Sequence, residues 1–159
     1  MARFALSFLL LPAALLTPAA LLLLAAAPNG WALDLESIRQ EANLERRSER
    51  AMDNASAALD VARAAYTAGK QEDVRKSIEE VAASADLAYD SLNESGKDAR
   101  RSPKFFKKAE LSARQLLRRI DGFKDAMSFD ERPIIERARE RVNSVHEELI
   151  RMIMAPKKK

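Results

Sequence analysis

The stretch SPKFFKKAELSARQLLRRIDGFKDAM, residues 102–127, decides how this chain folds. Ser102 offers a side-chain oxygen just ahead of Pro103, whose fixed φ and missing N–H suit the first helical position. Behind them Ala109, Ala113, Leu116, Ile120, Phe123 and Met127 recur in steps of three and four, with Phe105 and Phe106 beside them. That spacing lines one face of a helix and predicts that this face is buried. Gly122 weakens the helix a little near its end.

The same period continues on both sides. Residues 33–68 carry Met52, Ala55, Leu59, Ala62 and Tyr66, and stop at Gly69, placed to take the left-handed conformation that ends a helix. Residues 72–94 carry Val74, Ile78, Val81, Ala85, Ala88 and Leu92, and stop at Gly96. The last segment opens at Asp130, with Pro133 in its first turn and with Phe129 and Ile134 at the two positions of a hydrophobic staple. Its stripe is Ile135, Ala138, Val142, Val145, Leu149 and Met152. Four stripes joined by short connections predict an all-α fold, an antiparallel up-down-up-down four-helix bundle over residues 51–154. Charge interrupts the first stripe at residues 44–50, so residues 33–50 are expected as a charged helical extension that projects beyond the bundle. Residues 155–159 are expected as a disordered basic tail.

Ahead of this body, Arg3 leads into residues 4–27, which carry no charge, and Gly30-Trp31-Ala32 closes the segment with small residues. This is the pattern of a secretory signal peptide over residues 1–32, cleaved after Ala32. The competing site after Ala27 would place Pro28 first in the mature chain. The alternative is an uncleaved anchor, since the apolar run exceeds the roughly 20 residues that span a bilayer. Either reading exports the body, because Arg3 marks the cytoplasmic end. The expected location is periplasmic or extracellular, at the inner membrane if the segment is retained.

The chain has no cysteine, which excludes disulfides, thiol catalysis, thiolate zinc sites and covalent haem attachment. Its 27 Lys+Arg nearly balance 24 Asp+Glu, so net charge names no partner. Distribution says more. Residues 72–94 are mainly acidic and residues 97–119 mainly basic, as expected of adjacent helices that attract. On the third helix Lys104, Lys107, Arg114 and Arg118 lie nearly opposite the core stripe, with Leu111 among them. A basic stripe around an exposed leucine suits an acidic protein surface, an anionic lipid headgroup or an acidic polymer. The competing reading is a solvated face with one exposed apolar residue. Nucleic acid is not expected, because export removes the usual targets and the face lacks stacking aromatics.

Catalytic patterns are missing. The single histidine, His146, belongs to no H-E-x-x-H or Glu-x-x-His motif, and there is no G-x-S-x-G or phosphate loop. Glu79-Glu80 and Glu147-Glu148 read as solvated helix faces. No metal site and no enzymatic activity are expected. In the predicted bundle, Met52 of helix one comes level with His146 of helix four. This is similar to the b-type cytochromes of the bacterial periplasm, which ligate haem through a Met and a His on those helices. The resemblance implies a haem-binding electron carrier as an alternative function and stops at two residue types and the architecture.

Residues 62–81, with Tyr66 and Gly69, look like one helix-turn-helix unit of a tetratricopeptide repeat, but the unit does not recur. The runs RSPKFFKKAE (residues 101–110), residues 116–123 and MSFDERP (residues 127–133) resemble small exported helical bacterial proteins with no assigned activity. That resemblance implies an exported helical domain and carries no site residues. The expectation is thus a non-enzymatic binding or structural module of the bacterial envelope, without cofactor. It docks an envelope protein or anionic surface through Lys104, Lys107, Leu111, Arg114 and Arg118. Membrane-tethered self-association through residues 1–50 is the remaining alternative.

Overall fold

A computed structural model describes residues 35–155, so the signal-peptide reading of residues 1–32 and most of the basic tail lie outside the described residues. Five α-helices, and no strand, occur among the described residues. They are α1 (Leu35–Arg39), α2 (Leu44–Thr67), α3 (Gln71–Glu94), α4 (Pro103–Ala126) and α5 (Arg132–Met154), with a 3-10 turn at Phe129–Glu131 before α5. The fold is bundle-like. α2 packs along α3 and α4 along α5, while α3 also packs on α5 and α2 on α4.

The apolar stripes meet in one core. Leu59, Ile78, Val81, Leu92, Phe106, Leu116, Ile120, Ile135, Val142 and Leu149 are all fully buried within it. Between α2 and α3 the side chains are small. Ala51, Ala55, Ala58 and Ala62 face Ser77, Ser84, Ala85 and Ala88, which lets the two backbones approach closely.

Helix ends follow local chemistry. α2 stops where Gly69 takes a φ of 70°, and the Gly69 and Lys70 amides donate to the carbonyls of Tyr66 and Ala65. This pair of bonds caps two carbonyls the helix leaves open. Gly96 repeats the left-handed conformation after α3. Pro103 does begin α4, but the Ser102 hydroxyl makes no capping bond. α5 begins at Arg132, and Phe129 is 81% exposed, so the expected staple with Ile134 is not made. The intervening 3-10 turn carries Phe129 outward into solvent.

Two larger differences matter for function. Residues 33–50 were expected to project as one helix; the described part, residues 35–50, does not. The helix breaks at residues 40–43, where Asn43 Oδ1 accepts the Arg46 amide at 2.8 Å and starts α2 afresh. The break turns α1 back so that Ile38 is fully buried. Residues 44–50 belong to α2, and their charges are used: Arg47 pairs with Glu94, Glu45 with Lys97 and Glu49 with Lys108. The second difference concerns the acidic and basic helices. α3 and α4 touch only sparsely. The cations of α4 pair with α2 instead (Lys108–Glu49, Arg119–Asp60), and Asp86 of α3 pairs with Arg141 of α5.

Candidate docking groove

α4 sets the site through its period. Burying Phe106, Ala109, Ala113 and Leu116 forces Lys104, Lys107, Leu111, Arg114 and Arg118 outward, and all five are exposed. Leu111 is 46% exposed and not isolated. It lies against the last turns of α5, where Lys107, Glu110, Leu111, Ile150, Ile153 and Met154 line a groove of about 300 Å³. Ile150 is 38% and Met154 74% exposed, so the two helices together present an apolar strip to solvent.

Charge surrounds that strip. Lys107 stands on its rim and forms no ion pair within the described residues. Lys104 lies over the Phe105 ring, 5.4 Å from its centroid, and keeps its charge at the surface. Glu110, the acidic residue of the groove wall, is already engaged: its carboxylate is 3.1 Å from His146 Nε2 and 3.4 Å from Arg114 Nε. Arg114 is therefore partly committed within α4, while Arg118 projects a turn farther on.

The two α5 isoleucines and Met154 are not among the residues the sequence pattern singled out. Their signal was present as Ile150, Ile153 and Met154 in steps of three and one, partly off the main stripe of α5. Only the packing of α5 on α4 joins them to Leu111.

Met52 and His146 are held at different interfaces. Met52 is buried between α2 and α4, beside a cavity of about 10 Å³ lined by Phe105, Lys108, Ala109 and Ser112, room for roughly one water. His146 faces Glu110 between α4 and α5. α2 and α5 are not packed against each other, so the structure does not bring this pair together. Among the described residues no group of three or more His, Asp or Glu is arranged to hold a metal ion. No helix among them is long and apolar enough to cross a membrane.

A second, polar hollow of about 630 Å³ lies over Asn43, Arg46, Glu49, Arg50, Asp53 and Phe105. Burial, then the nearby Glu49 carboxylate, raises the Asp53 pKa above its ordinary value, and Lys108 opposes the shift. Its charges are mixed in sign, and Arg46, Arg50 and Glu49 are already held by Glu41 and Lys108, which gives it less to offer a ligand than the groove. No protein-family model matches this chain, and no curated protein or solved structure matches it.

Proposed function

We propose that the protein is an exported, non-enzymatic binding module that docks an anionic partner surface at the groove between α4 and α5. The four long helices in this reading alternate in direction, up-down-up-down, with α2 and α4 in one sense and α3 and α5 in the other. Lys108–Glu49 and Arg119–Asp60 support that register, since both partners advance along their helices together.

One observation carries the function: Leu111 is continuous with Ile150, Ile153 and Met154 beneath a basic rim. Apolar side chains left in water supply the binding energy, at about 25 cal/mol per Å² covered, and the lysines and arginines select and steer an anionic partner. The strip is small beside a stable protein interface, which suits reversible docking. The N-terminal pattern of residues 1–32 supports export.

The test exchanges Leu111, Arg114 and Arg118 for Glu and compares capture of envelope components by this variant and the wild type. Loss of capture with an unchanged helical melting curve is the expected result. Equal recovery on both would overturn the site.

A further inference from the structure

We infer that the surface this groove docks on is an anionic phospholipid bilayer, with Leu111, Ile150 and Met154 entering the acyl boundary and Lys104 and Lys107 meeting the phosphates. The inference rests on the docking reading above and names its partner.

The charge at this end of the molecule selects such a surface. Most acidic side chains nearby are held in ion pairs: Glu41 with Arg46 and Arg50, Glu45 with Lys97, Glu94 with Arg47, and Asp98 with Arg100, whereas Glu147 accepts only the Asn143 amide, at 2.7 Å. Lys104 and Lys107 have no such pair within the described residues, so the free charge beside the apolar strip, Glu147 included, is positive on balance. Apolar side chains flanked by lysines whose long stems reach a charged layer are the composition of an interfacial anchor.

Chain direction brings these side chains to one end of the molecule. The pairings of Arg47 with Glu94 and Lys97 with Glu45, and the seating of Leu111 beside Met154, gather the start of α2, the end of α3, the start of α4 and the end of α5. α1 packs on α2 and α3, so the described chain begins at this end too. Glu147, about one turn before Ile150, sets the depth: insertion past the last turn of α5 would carry its carboxylate out of water. A protein partner would need a matching ridge, whereas a fluid bilayer accepts exposed side chains of this kind directly.

Because the chain has no cysteine, single labels can be placed at will. Full-length protein, processed as its cell leaves it, is labelled at Met154→Cys with an environment-sensitive fluorophore, and at Lys70→Cys on the α2–α3 connection as a control. Each is mixed with vesicles of phosphatidylglycerol and phosphatidylcholine, or of phosphatidylcholine alone. The expected result is a blue shift at position 154 on the anionic vesicles, with little change at position 70. Removing two lysine charges (Lys104→Gln with Lys107→Gln) should weaken the partition roughly thirtyfold, about fivefold for each charge. The label reports the groove directly, so tethering by residues 4–27 cannot imitate it. No shift at position 154, an equal shift at position 70, or an equal shift on neutral vesicles would overturn the inference. If capture of an acidic protein is lost in the Leu111/Arg114/Arg118 variant while position 154 stays silent on lipid, the docking site stands and the bilayer is the wrong partner.

Discussion

Asn54 of α2, fully buried, donates through Nδ2 to Ser84 Oγ of α3 at 3.0 Å and to Glu80 Oε1 at 2.8 Å. This polar contact sits in the small-residue seam between α2 and α3, where little else is directional. A slip of either helix would strand it, so it holds the register of an interface that alanines and serines alone would leave permissive. The amide must present its nitrogen to Glu80, because the reverse orientation would oppose two oxygens. Asn54→Ala should cost about 1–3 kcal/mol in urea unfolding, and Asn54→Asp more, roughly 3–5 kcal/mol, by placing a second carboxylate against Glu80. Equal costs for the two would mean that Glu80 turns away to solvent.

Ile38 tests whether α1 belongs to the body. As a fully buried side chain it should lose about 2–4 kcal/mol on change to Ala. A helix projecting into solvent would lose no more than about 0.5 kcal/mol. Chemical denaturation of the single variant separates the two.

Gly69 and Gly122 should respond with opposite signs. At Gly69 a Cβ meets nothing within 4 Å, but the φ of +70° is strained for any L side chain, so Gly69→Ala should cost about 1–2 kcal/mol. Gly122 has helical backbone, and a Cβ there would lie at an ordinary 3.8 Å from Arg63 Nη2. Gly122→Ala should therefore stabilise by about 0.5–1 kcal/mol. Melting temperatures of the two variants check both.

Acid should unfold the protein partly through Glu131. Hydrogen bonds from Ser128, then Tyr66 and Gln71, hold its carboxyl below the ordinary value of 4.5. The folded value lies under the unfolded one, so this stabilisation is complete above about pH 4.5 and drains as pH falls through the folded value. Glu131→Gln should lower the melting temperature at neutral pH and flatten its acid decline. Asp53 has the reverse sign. Its raised pKa makes the ionised form a destabilising one, and that penalty disappears on acidification. Asp53→Asn should stabilise at neutral pH and change nothing once both forms are protonated.

Local chemistry is legible in the order of residues. The core residues of each long helix can be read there because a helix imposes a fixed angular step, so a stripe such as Val74, Ile78, Val81, Ala85, Ala88 and Leu92 can face only one way. Gly69, Gly96 and Pro103 mark helix ends because their backbone limits act within one or two residues. The exposure of Leu111 and of the four basic residues beside it follows from the same geometry.

A stripe says which face is buried and not what covers it. Packing alone placed the acidic α3 beside α5, away from the basic α4, and gave the cations of α4 to Glu49 and Asp60 of α2. Packing turned residues 35–39 back to bury Ile38, since one isoleucine in a charged stretch has no period to announce it. It also separated Met52 from His146 and joined Leu111 to Ile150, Ile153 and Met154, some forty residues apart in the chain. Helix faces and helix ends depend on neighbours along the chain, so residue order is enough to specify them. Which faces meet, and which apolar side chains remain in water when they do, depends on the whole core at once and is settled by tertiary packing.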